Sequence, residues 1–294
     1  MNYSEYFADP LRQCAIVAHR GLWNEAPENS LLSVRRAIEA GYDIVEIDVR
    51  RTADGEFVLL HDITLDRMTG VDRKPEDLTL GELISLPLRN RDGGPNNPFT
   101  EEKLPSLRDV FDLTRDKIYI HLDIKHRHVI PEVLAYARKM GVDKQVDFWA
   151  DLKTEGDLAW IKANITIHGV PFIARTHLEH DDWQQQVKLA LELKPLICEA
   201  SFRDISQVDA IQQHFHEAGI NLWVNTLDSV ASSGFTDSAA LDNPEAVWGR
   251  LLRAGFSAIQ TDEMAALRSF LGTLKCTRFG YAVWKGYFPC SFTM

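Results

Sequence analysis

Short β-rich runs alternate with amphipathic segments almost to the end of this chain, and that alternation restricts its fold more than any other feature. Eight runs read as strands: Cys14–Ala18, Tyr42–Val49, Ile118–Ile124, Val146–Ala150, Pro171–Arg175, Leu196–Ala200, Asn221–Asn225 and Ser257–Thr261. Helical patterns separate and follow them at Ser30–Ala40, Leu107–Leu113, Ile130–Met140, Thr154–Asn164, Asp182–Leu193, Ile205–Ala218, Pro244–Ala254 and Glu263–Leu271. Ala40-Gly41, Met140-Gly141, Ala218-Gly219 and Ala254-Gly255 each place a glycine where a left-handed cap leads into the next strand. Eight parallel βα units close a (β/α)8 barrel, the TIM architecture, and such a barrel of about 250 residues accounts for most of the chain. A doubly wound open sheet is the alternative, but no Gly-x-Gly-x-x-Gly turn follows the first strand.

Two segments break the regularity. From about Asp66 to Lys103 the chain carries charges, Pro75, Pro87 and the run Asp92-Gly93-Gly94-Pro95, which reads as a small insertion on the barrel rim. The barrel is expected over residues 1–271, leaving 272–294 as an aromatic-rich C-terminal extension with Phe279, Tyr281, Trp284, Tyr287, Phe288 and Phe292. Disordered segments are usually poor in aromatics, so an ordered cover or a homo-oligomer contact is expected there rather than a loose tail.

The net charge of -11 argues against nucleic acid as a partner, because a basic surface is needed to displace phosphate counterions. It leaves room for a small anionic substrate in a locally positive pocket. Cys14, Cys198, Cys276 and Cys290 lack the spacing of a zinc site, and Cys14 and Cys198 lie in apolar strand-like runs as reduced core residues. The first residues do not resemble a secretory leader, and no run approaches the roughly 18 apolar residues of a membrane span. A cytoplasmic protein with no transmembrane segment is the simplest expectation.

The chemistry concentrates between Ala18 and Gly70. Glu46 and Asp48 are two apart in a strand and share one face, while Val45, Ile47 and Val49 take the other. A strand buried on both sides cannot hold two unpaired acids cheaply, so a divalent cation is the expected partner. Asp54-Gly55 reads as a two-residue hairpin turn, and pairing symmetrically about it sets His61 opposite Asp48. His19 follows the first strand at its C-terminal end, where barrel enzymes place reacting groups, and Arg20 beside it can grip phosphate oxygens through a planar fork. The third strand adds His121, Asp123 and Lys125 on one face. Asp123 completes a cage for the cation, and Lys125 either meets the substrate's charge or forms a structural ion pair with an acid.

These blocks resemble the glycerophosphodiester phosphodiesterase family. The matching residues are His19-Arg20-Gly21, Pro27-Glu28-Asn29-Ser30, Glu46-x-Asp48, Thr52-x-Asp54-Gly55, His61-Asp62, Leu65-x-Arg67, Leu104-Pro105-Ser106-Leu107 and Asp123-x-Lys125, with weaker echoes in Leu222-Trp223-Val224-Asn225 and Thr261-Asp262. The resemblance implies a TIM barrel with a rim insertion, one bound Mg²⁺ or Ca²⁺, and cleavage of a small anionic phosphodiester to an alcohol and a phosphomonoester. By position it implies Glu46, Asp48 and Asp123 as metal ligands, His19 and His61 as the acid–base pair, and Arg20 and Lys125 as phosphate contacts. Either order of the two histidines fits the sequence; His19 as base and His61 as acid is the working assignment.

Two positions depart from the family pattern. Ser30 stands where threonine is usual and keeps the hydroxyl; Asp123 stands where glutamate is more frequent, one methylene shorter, as in the related sphingomyelinase D enzymes. The rival readings are the same site acting on a sugar phosphodiester, as an agrocinopine-type hydrolase or synthase, or on a lysophospholipid. Trp23, Trp149, Trp223 and Trp284 can stack on a sugar or line an acyl groove, though such residues more often pack core or rim; Trp223 is expected as the substrate contact. A barrel that binds an anion without turnover is the non-enzymatic rival, supported only by the change at Asp123.

Overall fold

The computed structural model describes residues 1–275, and its strands follow in chain order as β1 (Ala15–Ala18), β2 (Ile44–Arg51), β3 (Phe57–Leu59), β4 (Pro87–Arg89), β5 (Phe99–Lys103), β6 (Tyr119–Ile124), β7 (Val146–Asp151), β8 (Phe172–His177), β9 (Ile197–Ser201), β10 (Asn221–Asn225) and β11 (Phe256–Thr261). Eight of them run parallel, in the order β1-β11-β10-β9-β8-β7-β6-β2, and β1 also pairs with β2, which closes the barrel. All eight strands expected from the sequence are present in that cylinder. No helix among the described residues is long and apolar enough to cross a membrane.

The helices begin where polar side chains can satisfy unpaired backbone groups. Ser30 and Ser33 exchange side-chain-to-backbone hydrogen bonds of 3.0 and 3.2 Å at the start of helix Leu31–Ala40, and Gly41 ends it with φ 70°. Ser106 with Asp109, and Thr154 with Asp157, form equivalent boxes at helices Leu107–Thr114 and Glu155–Asn164. The apolar faces of the helices and the outward residues of the strands form the main core, with Val45, Ile47, Leu122 and Phe148 fully buried. Cys14 and Cys198 are buried free thiols, and burial pushes both up to about 12.

A second cluster fills the barrel interior and contains an element that periodicity did not reveal. Helix Tyr3–Ala8 packs Tyr3 and Phe7 against Ala15, Val17, Ile44 and Tyr119. Six residues are too few for a periodic signal, and the helix persists because its aromatics enter the barrel.

The insertion is built rather than loose. Helices Asp66–Thr69 and Leu80–Leu83 and the β4–β5 hairpin surround a third apolar cluster that includes Leu60, Leu65, Met68, Leu83, Leu88 and Leu104. The stretch expected as one helix, Pro244–Ala254, instead has wide turns over Glu245–Gly249 before helix Arg250–Arg253, and Asp237–Asp242 adds a helix before it. The last helix, Met264–Lys275, runs past the expected end at Leu271. The aromatic extension beyond it lies outside the described residues.

One register differs from expectation. β3 pairs with β2 as Val49↔Leu59, Arg50↔Val58 and Arg51↔Phe57, and Leu60 donates to the Asp48 carbonyl, so Leu60 stands opposite Asp48 in place of His61. The turn holds three residues, Ala53, Asp54 and Gly55, because Thr52 pairs with Glu56 and the Thr52 hydroxyl accepts from the Glu56 amide at 2.9 Å. Gly55, at φ 82°, supplies the left-handed residue that this longer loop requires. Leu60 therefore points into the insertion core, and His61 lies just beyond the paired segment.

Candidate active site at the C-terminal rim

The C-terminal ends of β1, β2, β6 and β11 carry most of the groups expected to do chemistry. Parallel register sets Glu46 beside His121 and Asp48 beside Asp123. Carboxylate oxygens of Glu46, Asp48 and Asp123 lie within 4.8 Å of one another. Glu46 and Asp48 are almost wholly buried, and their surroundings differ. Burial and the neighbouring Asp48 charge push the Glu46 carboxyl up to about 7, against the pull of His19. Burial also opposes charge on Asp48, but Lys125 and Arg20 outweigh it and hold that carboxyl well below the usual range.

Lys125 Nζ reaches Asp48 Oδ1 at 2.5 Å and Asp123 Oδ2 at 2.7 Å. Asn29 clamps Asp48 from the other side, its Nδ2 donating to Asp48 Oδ2 at 2.6 Å and its Oδ1 accepting from the Asp48 amide at 3.0 Å. Glu46 Oε2 accepts from the Arg20 amide at 2.9 Å. Arg20 adopts φ 53° and Gly21 φ 81°, so two left-handed residues in succession aim that amide inward. A Cβ on Gly21 would come within 2.7 Å of the Ser33 backbone, which makes glycine the residue that lets the loop lie on the helix start.

Both expected histidines are backed by carboxylates through the same ring atom. His19 Nδ1 is 2.9 Å from Asp262 Oδ1, and Trp23 Nε1 donates to that same oxygen at 2.9 Å. Burial disfavours charge on His19, but the Asp262 hydrogen bond and the Glu46 charge outweigh it and raise its pKa. His61 Nδ1 is 2.8 Å from Asp62 Oδ1, and the buried Arg50 donates to the His61 carbonyl at 2.8 Å. With Nδ1 engaged, Nε2 is the nitrogen each ring has to offer a ligand.

Arg67 extends this network. It binds Asp62 through Nε at 2.7 Å and Nη2 at 2.9 Å, and Glu28 Oε1 through Nη2 at 2.6 Å. Glu28 in turn takes Arg20 Nη1 at 3.0 Å. A chain of ion pairs thus runs from His61 to Arg20 across the rim. Glu28, Asn29, Asp62, Arg67 and Asp262 all lie in the blocks that carry the family resemblance, but their residue types alone do not show which group each one holds. For Asp262 a signal was available, since it is the residue directly after the last barrel strand.

Trp223 is the exception among the expected residues. It is fully buried inside the barrel, its ring centroid 4.9 Å from that of His121, and its Nε1 donates to Asn225 Oδ1 at 2.8 Å. It has no exposed surface to offer a substrate. Its alternation puts it on the inward face, where lower barrel layers are filled by large side chains. Beneath the acids, His121 Nδ1 meets Asp147 Oδ1 at 2.7 Å; burial opposes its charge, but Asp147 and Glu46 carry the imidazole up to about 9. Arg175 and Glu199 pair, with Nε to Oε1 at 3.4 Å. A groove of about 510 Å³ adjoins Lys125 and is lined by His126, Arg127, His128, Gly156 and Trp160.

Fold and site together define a (β/α)8-barrel protein whose C-terminal rim presents clustered acids, a guanidinium and two carboxylate-backed imidazoles. The chain belongs to the glycerophosphoryl diester phosphodiesterase family, whose sequence pattern matches residues 19–266. A glycerophosphodiester phosphodiesterase of Caldanaerobacter subterraneus subsp. tengcongensis is 38% identical over 111 residues, 37% of this chain and 44% of that protein. Human glycerophosphodiester phosphodiesterase 1 is 38% identical over 128 residues, 42% of this chain and 38% of that protein. The match thus spans less than half the length of either relative. Among solved structures, a glycerophosphoryl diester phosphodiesterase from Parabacteroides distasonis superposes with TM-score 0.70 at 19% identity, covering 93% of each chain. A phosphodiesterase of Oleispira antarctica, solved with the product sn-glycerol-3-phosphate, has TM-score 0.64 at 22% identity and covers 88% of this chain and 97% of its own. At those identities the likeness concerns the fold.

Proposed function

We propose that this chain is a metal-dependent phosphodiesterase that cleaves a glycerophosphodiester to an alcohol and a phosphomonoester, with His19 and His61 as its acid–base pair. The observation that carries the reading is the convergence of Glu46, Asp48 and Asp123 on a rim where two imidazoles are each fixed through Nδ1 by a carboxylate.

The acids fit a hard divalent cation, Mg²⁺ or Ca²⁺, because three carboxylates supply the oxygen donors such ions prefer and the raised Glu46 carboxyl lacks a full countercharge. When bound there, the cation would neutralise charge on the phosphate and polarise it. Arg20 and Lys125, ion-paired in the structure with Glu28 and with Asp48 and Asp123, bring positive charge to the edge of the same phosphate site. His19, hydrogen-bonded to Asp262, takes a proton at Nε2 from the attacking group, which is either water, giving the phosphomonoester directly, or a neighbouring hydroxyl of the substrate, giving a cyclic phosphate that water then opens to the monoester. His61, oriented by Asp62, returns a proton from Nε2 to the departing alkoxide. The groove beside Lys125 provides room for the alcohol portion.

The experiment is incubation of the protein with glycerophosphocholine, a lysophospholipid and a sugar phosphodiester, with and without Mg²⁺ or Ca²⁺, followed by phosphorus NMR. Cation-dependent monoester from the glycerophosphodiester is expected, and His19→Ala and His61→Ala each lower turnover by about 10²–10⁴-fold. Near-normal turnover in either variant refutes the pairing. Preference for the lysolipid or sugar ester transfers the site to that substrate class.

A further inference from the structure

A second group of metal-ligating side chains stands on the same rim, at the ends of β7, β8 and β9 rather than β2 and β6. β8 ends at His177, and the chain then turns so that the His180 amide donates to the His177 carbonyl at 3.1 Å. Leu178, fully buried, anchors that turn and donates its amide to the Ser201 carbonyl at 2.8 Å, while Arg203 Nη2 holds the Glu179 carbonyl at 2.6 Å. Glu179 and His180 are thereby brought back to His177, with the two imidazoles stacked at 5.0 Å between centroids. One nitrogen from each histidine and one Glu179 oxygen lie within 4.8 Å of one another.

The hydrogen bonds around the group sort its atoms into ligands and supports. His177 Nδ1 faces Glu179 Oε1 at 3.1 Å, and its other nitrogen, Nε2, meets Asp151 Oδ1 at 3.2 Å. A carboxylate on the far ring nitrogen is the arrangement that orients a metal-binding histidine and raises its basicity. Ser201 Oγ donates to Glu179 Oε2 at 2.7 Å, which leaves Oε1 as the oxygen on the histidine side. His180 Nε2 stands 4.0 Å from that same Oε1. His180 is half-exposed, so one side of the group stays open to solvent.

We propose that His177, Glu179 and His180 form a second metal site, selective for Zn²⁺ or a similar borderline cation, with Asp151 and Ser201 as its orienting partners. Two imidazoles and one carboxylate are the donor set such ions take, with a fourth position left for water, whereas the all-oxygen cluster of Glu46, Asp48 and Asp123 suits Mg²⁺ or Ca²⁺. The assignment is independent of the reaction proposed above.

The test is calorimetric titration of untagged full-length protein with Zn²⁺ in saturating Mg²⁺, read beside the visible spectrum of the Co²⁺ form. One ion per chain with histidine-ligand bands is expected. His180→Ala, at a half-exposed position, keeps the fold by its melting curve and weakens Zn²⁺ binding by at least tenfold. Asp151→Asn weakens it by about 10–100-fold, the usual cost of losing an outer partner. Zn²⁺ binding that is absent from the wild type, or unchanged in His180→Ala, overturns the proposal. So does binding that survives His180→Ala but vanishes in Glu46→Gln, since the ion then sits among the acids.

Discussion

His19 and Asp262 lie 243 residues apart and meet at 2.9 Å through Nδ1 and Oδ1. The contact exists because β1 and β11 are neighbouring parallel strands, in the register Ala18↔Thr261, so the residues just past their ends are neighbours. Asp262 is itself positioned from below, its amide donating to Asp237 Oδ2 at 2.8 Å.

That pair gives a kinetic prediction. Asp262→Asn keeps the shape but no longer selects the tautomer that leaves Nε2 unprotonated, so kcat falls by about 10²-fold or more with little change in KM. Steady-state kinetics across the pH range check it; an unaltered kcat would show that Asp262 serves Trp23 alone.

Asp62 predicts a pH dependence of stability. The hydrogen bond from His61, strengthened by Arg67 and opposed by partial burial, holds its carboxyl well below the ordinary range. A carboxyl depressed in the folded state stabilises the fold above its unfolded value, about pH 3.9, and loses that contribution as pH falls through the folded value. Asp62→Asn therefore lowers Tm at neutral pH, and the gap from wild type narrows as pH drops below about 4. Parallel melting curves would show a constant gap if the ion pair carried no weight.

Chelation and substitution test the acid cluster separately from the imidazoles. Exhaustive chelation is expected to abolish turnover and added Mg²⁺ or Ca²⁺ to restore it. Asp123→Asn weakens cation binding by at least the roughly 10–100-fold that an outer partner costs, while Asp123→Glu, which keeps the carboxylate, retains it. Calorimetry with the cation alone reads this without relying on activity.

Gly21→Ala should be destabilising by about 1–3 kcal/mol, because the new methyl meets backbone that cannot retreat and the residue must keep a positive φ. Urea denaturation measures it. The same variant moves the Arg20 amide away from Glu46, so its loss of turnover exceeds its loss of folded protein.

The barrel was legible because its signal is local: each βα unit carries its own periodicity and cap, as with Ser30 before Leu31–Ala40 and Gly41 after it. Glu46 with Asp48, and Asp123 with Lys125, were legible for the same reason, since alternation along one strand assigns faces without knowing the neighbour. The hairpin register was not. One hydroxyl, Thr52 Oγ1 on the Glu56 amide, lengthens the turn by a residue and exchanges Leu60 for His61 opposite Asp48.

Helix Tyr3–Ala8 was silent in the sequence because its stability comes from the barrel it enters rather than from its own six residues. Trp223 could be assigned to a face, but whether that face opens on ligand or on packed core depends on its height in the barrel. By itself the sequence determined the order of the eight βα units, the closed parallel barrel and the candidate residues of the site, all of which follow from periodicity and residue chemistry within short windows. Tertiary structure decided the partners: Asp262 for His19, Arg67 between Asp62 and Glu28, and Asp151 with Ser201 around His177 and Glu179. Apart from the local Arg67–Asp62 contact, such pairs form between the ends of different strands or loops, and the packing of those elements around the closed sheet sets their distances.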